Sequence, residues 1–139
     1  MRYRIRIALD NVIFSSDLRK VLLIKRKYYL KNIWALPAGH LRKDEILIAG
    51  AKRELFEETG LKNIKLERFD IFDAINRDPR GRTISVAYVG ISKDTKKIKA
   101  SSDAKDVRWF PVTSLPRLAF DHNKIISKAL IWTKMKSKN

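Results

Sequence analysis

The chain has 139 residues, 45% of them hydrophobic, which suffices for one compact domain and leaves little room for a second. It has no cysteine, which excludes a disulfide scaffold, a thiol nucleophile, an iron–sulfur site and any cysteine-based zinc site. Lys and Arg number 31 against 15 Asp and Glu, a formal charge of +16. That balance attracts polyanions such as nucleotides, RNA, DNA or anionic lipid heads, and it equally describes a solvated lysine-rich surface. The longest apolar runs are as short as Val21-Leu22-Leu23-Ile24, so no membrane span, signal peptide or membrane partner is expected. A cytoplasmic protein is the expectation.

In chain order, residues 3–14 open with Tyr3, Ile5, Ile7 and Leu9 alternating with Arg4, Arg6 and Ala8, which predicts a half-buried strand. Ser15-Ser16-Asp17 reads as a turn and Val21 to Lys25 as a second strand, apolar enough to be central. Residues 27–44 hold Pro37 and Gly39 and read as a loop with a short extended piece near Trp34 to Leu36. A helix is predicted from Glu45 to Thr59, with Asp44 as N-cap and Gly60 as the terminating residue. Lys65 to Ile75 and Thr83 to Ser92 read as strands joined by a turn over 76–81. Asp106 to Phe110 reads as a short strand ended by Pro111. A second helix is expected over Asp121 to Lys134, with Ile125, Ile126, Ala129, Leu130 and Trp132 at mostly helical spacing. No repeat or linker interrupts this order. It predicts a single domain, residues 1–139, a mixed-sheet sandwich of α+β or α/β type.

The segment with chemical content is Gly39 to Leu61, GHLRKDEILIAGAKRELFEETGL. At about 100° per helical residue, Glu54, Glu57 and Glu58 share one face. Like charges at these spacings repel, and the helix C-terminus disfavours them further. A divalent cation such as Mg²⁺ or Mn²⁺ reverses that sign. The alternative is a solvated acidic face relieved by Lys52 and Arg53.

The flanks decide in favour of a longer pattern. Gly39 is followed after five residues by Glu45, then after seven more by Arg53-Glu54. Leu55, Glu57-Glu58 and Gly60-Leu61 complete it. This segment resembles the Nudix box at every defining position. The resemblance implies a mixed β-sheet between helices, an α/β/α sandwich, with the box as loop–helix–loop. It also implies hydrolysis of a nucleoside diphosphate linked to another moiety, with Mg²⁺ as cofactor and Mn²⁺ as substitute. By position, Glu54, Glu57 and Glu58 are the implied metal ligands, with the Ala38 carbonyl of Pro37-Ala38-Gly39 as a further one. Arg53 and Glu45 are implied to orient the carboxylates, and Gly39 and Gly60 to shape the box. Glu57 is the candidate base inside the box; Asp103 is the candidate outside it, with Asp106 as its neighbour and rival.

Arg77-Asp78-Pro79-Arg80-Gly81-Arg82 and Leu118-Ala119-Phe120-Asp121-His122 are similar to segments of ADP-ribose pyrophosphatases. So is the stretch from Leu22 to Arg26 with Trp34 to Pro37. The implied substrate contacts are Arg26, Arg77, Arg80 and Arg82 as forked phosphate or ribose donors, and Trp34 or Phe120 as a stacking ring. Asp121 is a candidate helix cap and His122 a structural or supporting hydrogen-bond donor. Two departures stand out: Asp44 occupies a position where relatives often carry glycine, and Asn76 one where ADP-ribose enzymes often carry proline. The expected reaction is ADP-ribose to AMP and ribose 5-phosphate. Nucleoside triphosphates, dinucleoside polyphosphates and 5′-phosphorylated RNA ends are the alternative substrates, and a non-catalytic nucleotide- or RNA-binding module is the alternative class. RNA, suggested by the charge, and a second copy of the chain are the macromolecular partners left open.

Overall fold

The structure, a computed structural model, describes residues 4–26, 32–99 and 104–137, with 104 and 105 as backbone only. Strand β1 (Arg6–Ser15) is buried over its last eight residues, which corrects the half-buried expectation. The alternation that suggested an exposed face belongs to the strand's entry, where Arg6 and Ile7 are half-buried. Beyond it the strand lies mid-sheet. Strand β6 (Thr83–Ser92) runs parallel along its whole length, from Arg6↔Thr83 to Ser15↔Ser92. On the other side β4 (Ala38–His40) and β2 (Lys20–Arg26) pair antiparallel with it. Strand β3 (Trp34–Ala35) and β7 (Ala104–Pro111) both pair with β2, and β5 (Glu67–Phe72) forms an edge beside β6. The sheet is mixed and seven-stranded.

Period-two alternation along β1 then divides the core. Leu9 and Ile13 pack with Ala51 and Leu55 of helix α1 (Leu47–Thr59). Val12 and Phe14 pack on the other face with Ile125, Ile126 and Ala129 of helix α2 (His122–Ser137). The two polar residues of β1 obey the same parity. Asn11 points to α1, donating from Nδ2 to the Ala51 carbonyl at 3.1 Å, and Asp10 points to the start of α2.

Helix α1 begins two residues later than the sequence suggests. Its N-cap position is Ile46, extended and without a side-chain cap, so Asp44 does not cap it. Glu45, placed just outside the helix, instead accepts the Arg42 N–H at 2.9 Å. The exit matches expectation: Gly60 adopts φ 78° and its N–H closes on the Phe56 carbonyl, a left-handed turn that glycine makes without Cβ strain. No helix is long and apolar enough to cross a membrane among the described residues.

Candidate active site

Helix α1 carries its carboxylates toward β4, and one arginine organises them. Arg53 grips Glu45 with two bonds, Nε to Oε2 at 2.9 Å and Nη2 to Oε1 at 2.6 Å. Its Nη1 reaches Glu54 at 2.5 Å and Glu57 at 3.4 Å, and Nη2 also donates to the His40 carbonyl at 3.2 Å. The Arg53 bonds hold Glu45 far below the usual carboxylate range, at about 2. Glu54 moves the other way because burial disfavours its charge. The repulsion expected among the glutamates is therefore offset inside the protein by a guanidinium with a planar fork.

Glu58 is the buried member of the set, 3% exposed. Its Oε1 accepts the Ala38 N–H at 2.7 Å, which ties the helix to the strand carrying the box entry. Gly39 follows, and a side chain there would overlap the Glu54 carboxylate. That close approach favours glycine here as long as Glu54 keeps this orientation. The Ala38 carbonyl meanwhile accepts from Arg26 Nη2 at 3.0 Å.

These groups open on a cleft of about 280 Å³. It is lined by Ala38, Gly39, Glu54, Glu57 and Glu58 from the box and its entry, by Arg77, Asp78, Arg80, Phe120 and His122 from the later part of the chain, and by Arg26 and Asp10. Oxygen donors from three carboxylates and one carbonyl are the hard set that Mg²⁺ or Mn²⁺ takes. Among the described residues no three acidic or histidine side chains converge as a ready-made metal cluster. In this state Glu54 and Glu57 turn to Arg53, and Glu58 turns to Ala38.

The other expected residues divide. Arg77 reaches the cleft, but its side chain is 3% exposed and both its bonds, at 3.0 and 2.7 Å, go to Asp121. The Asp121 carboxylate thus grips an arginine 44 residues away. Arg80 pairs with Asp78 and lies 5.0 Å from the centre of the Phe120 ring. Arg82 turns away, donating to the carbonyls of Asp73 and Ala74, and does not line the cleft. Trp34 is also elsewhere: it is buried in the α2-side core, edge-on to Phe110 with centroids 4.8 Å apart. A ring flanked by β-branched and aromatic neighbours fills the core first. Asp106 bonds locally, to the Val107 N–H and Arg108. Asp103 lies outside the described residues.

Asp10 is a site residue that the sequence reading does not single out. It is 2% exposed, accepts the Ser85 hydroxyl, and stands 3.5 Å from His122 Nε2. Burial pushes its carboxyl up to about 7, against the pull of Arg77 and Arg26. The available signal is a charged residue inside an apolar strand, which is seldom buried without partners. His122 accepts the Leu36 N–H at Nδ1 at 3.0 Å, so its ring proton sits on Nε2. Burial and the Arg26 charge hold its pKa down at about 3. A larger cleft, about 750 Å³, lies apart from the carboxylate cleft, between Leu61 to Lys65, β6 and the end of α2. Its rim includes Lys62, Lys65, Lys93, Lys97 and Lys136, with Glu67 and Asp94 as the acids that line it.

Comparison with known proteins places the whole chain. A NUDIX domain model matches residues 4–131. An ADP-ribose pyrophosphatase of Methanocaldococcus jannaschii is 37% identical over 127 residues, covering 91% of this chain and 73% of that protein. An ADPR responsive transcriptional repressor of Acinetobacter baylyi is 33% identical over 86% of this chain, which spans only 51% of the repressor. Among solved structures, the NUDIX domain of Shewanella oneidensis NrtR complexed with ADP ribose superposes with a TM-score of 0.82 at 28% identity, covering 93% of this chain and 88% of that one. Box spacing, sheet order and these likenesses coincide, and the chain belongs to the Nudix family of hydrolases.

Proposed function

We propose that this protein is a Mg²⁺-dependent pyrophosphohydrolase that cleaves ADP-ribose to AMP and ribose 5-phosphate, with Mn²⁺ as a substitute metal. One observation carries the reading: a single cleft sets Glu54, Glu57, Glu58 and the Ala38 carbonyl against Arg26, Arg77, Arg80 and Phe120. Similarity to an ADP-ribose pyrophosphatase over most of both chains supports the substrate.

The three carboxylates and the Ala38 carbonyl would hold the cation. When bound, a divalent ion neutralises diphosphate charge and makes a coordinated water more acidic. The remaining roles fall to the chain. Water adds to one phosphorus, the bridging P–O bond breaks, and Glu57 takes the proton. Glu57 suits that role because its side chain is 34% exposed while Glu58 is buried. Arg53 sets the carboxylate directions through its bonds to Glu45, Glu54 and Glu57. Arg80, 39% exposed, is the better placed of the loop arginines to meet a phosphate, with Phe120 beside it for the base or ribose. Arg77, held by Asp121, contributes a fixed positive charge behind them.

The test is turnover with Mg²⁺ of ADP-ribose, other nucleoside diphosphate sugars, dinucleoside polyphosphates, triphosphates and 5′-triphosphate RNA. Preferential release of AMP from ADP-ribose is expected. Preference for triphosphates or RNA ends overturns the substrate and keeps the box chemistry. The likeness to a repressor favours a second reading, in which ADP-ribose binds without turnover. Tight binding with no product under Mg²⁺ or Mn²⁺ decides for it.

A further inference from the structure

The three residues that lead into the box are held by side chains and backbone from well-separated parts of the chain. Leu36 donates its N–H to His122 Nδ1. The Pro37 carbonyl accepts from the Asn11 N–H at 2.9 Å. Ala38 donates to Glu58 and accepts from Arg26. Proline has no N–H, so the Leu36 bond is the last backbone donor contact before Ala38 itself. His122 supplies it from the first turn of α2, 86 residues away in sequence.

The residue is built into its place. Its Nε2 faces Asp10 Oδ1, its ring meets Phe120 edge-on at 5.6 Å, and its own N–H returns to the Ala119 carbonyl. Phe120 takes a left-handed backbone at φ 50°, a conformation that costs a non-glycine residue and persists only where surroundings impose it. Directly before His122, Asp121 grips Arg77. Two adjacent side chains thus fasten the start of α2, one to the box entry and one to the arginine loop.

We propose that His122 is a positioning residue for the box entry: by fixing Leu36 through Nδ1 it sets the Ala38 carbonyl and Gly39 against the Glu54 and Glu58 carboxylates. The inference rests on the reading of the box and its entry as the cation site. It makes cation affinity depend on a buried imidazole that touches neither the cation nor the substrate, while Asp121 acts on the substrate side.

The ring's two nitrogens separate by substitution. His122→Asn retains an acceptor close to the Nδ1 position, and His122→Gln retains a donor close to Nε2 without that acceptor. Mn²⁺ binding to the substrate-free protein, followed by electron paramagnetic resonance, is the primary readout; kcat and KM for ADP-ribose are the second. His122→Gln is expected to weaken Mn²⁺ binding by ~10-fold or more, the range for groups that support a ligand, and to lower kcat with KM little changed. His122→Asn recovers most of both. Asp121→Asn raises KM and leaves Mn²⁺ affinity as it was. Equal behaviour of the Asn and Gln variants, or wild-type Mn²⁺ affinity in both, overturns the positioning role and leaves the reading of the cleft intact. Wild-type protein that neither binds Mn²⁺ nor turns over ADP-ribose overturns both. Should His122→Gln not fold, ¹⁵N spectra of the wild-type chain decide: Mg²⁺ addition is expected to shift the Leu36 amide and the His122 ring nitrogens, and unmoved signals overturn the proposal.

Discussion

Two polar centres among the described residues are held together by opposite means. On the α1 side, Glu45, Glu54 and Glu57 surround the guanidinium of Arg53, with Glu45 and Arg53 only about 13–16% exposed and Glu57 about a third exposed. Charge balances charge there, although burial still pushes the Glu54 carboxyl up. Beneath α2, Asp10, Ser85 and His122 lie fully inside, and burial drives the acid up and the base down, so both tend to the neutral form. The first centre is organised to keep negative charge at a cleft. The second is organised to hold backbone in place without charge. Substitutions that change charge and spare shape should therefore act on function at the first and on stability at the second.

The largest effect expected is at the first centre. Glu57→Gln and Glu58→Gln should each lower Mg²⁺-dependent turnover of ADP-ribose by ~10³-fold, the scale of losing one electrostatic stabiliser of a transition state. Thermal melting should move little. The amide oxygen that Glu58→Gln introduces can still accept from the Ala38 N–H, and the Glu57 pairs with Arg53 and Arg42, at 3.4 and 3.6 Å on a partly exposed side chain, are of the kind that contribute little. Full activity in both variants removes the assigned role from the box carboxylates.

Second in size is Asp121→Asn, which leaves Arg77 charged, 3% exposed and without its bidentate partner. We expect a loss of about 3 kcal/mol of unfolding free energy, the low end for breaking a buried pair because Asp121 is itself partly exposed. Urea denaturation measures it. A loss under about 1 kcal/mol, the surface-pair range, places Arg77 with the exposed arginines and weakens the contrast between the two centres.

The contrast also explains what can be read from the sequence. The carboxylate centre lies within residues 39–58 and repeats at helical spacing, so its members announce one another locally. Strand β6 is delimited to the residue for a similarly local reason, a run rich in β-branched and aromatic residues that follows the turn-prone stretch 76–81. The second centre joins residues 10, 36, 85 and 122, and no periodicity links them. Arg77, Arg80 and Arg82 look alike as a cluster, yet the fold sends them respectively to Asp121, to Asp78 and to two loop carbonyls. Trp34 has the residue type of a stacking ring, and the deeper core of the α2 face claims it. The start of α1 is misplaced from sequence because Asp44 has the side chain of a cap, whereas Glu45 is taken by Arg53 before the helix begins.

Gly39→Ala probes the junction of the two centres more gently. The added methyl would overlap the Glu54 carboxylate, the free end of a flexible side chain that moves aside more easily than backbone. The fold should survive with a small change in melting temperature. Turnover should fall by ~10–100-fold, as for disturbed support of a ligand. A variant that loses its fold shows that the box entry is rigid beyond what this contact imposes. One that keeps full activity shows that Glu54 has a second productive position.

The smallest effect, and the sharpest test of neutrality at the second centre, is the pH dependence of Asp10→Asn in metal-free buffer. Below its ordinary pKa of 3.8 the Asp10 carboxyl is protonated in folded and unfolded chains alike. From there to about 7 the folded protein keeps the proton and the unfolded chain gives it up. The folded state then binds more protons, so this group's contribution to stability falls as pH rises and levels off above about 7. His122 works in the opposite direction: its pKa drops from 6.5 to about 3, so the stability it lends is fully present above 6.5 and is lost as pH falls toward 3. In the wild type the two slopes oppose each other between about 4 and 6.5. Asparagine removes the acid's slope and preserves the packing, since Ser85 can rotate its hydroxyl to accept from the new amide while the amide oxygen faces His122. The stability of Asp10→Asn relative to wild type should therefore increase by about 1–2 kcal/mol between about pH 5 and pH 8, taking about 1.4 kcal/mol per pKa unit and allowing for relaxation around the buried charge. Arg77, Arg26, Asp78 and Asp121 all act on this carboxyl, so the experiment is repeated in the Asp121→Asn background, where the surrounding charge differs. A pH-independent difference in both backgrounds means that Asp10 stays ionised throughout, and that the second centre is held by charge like the first.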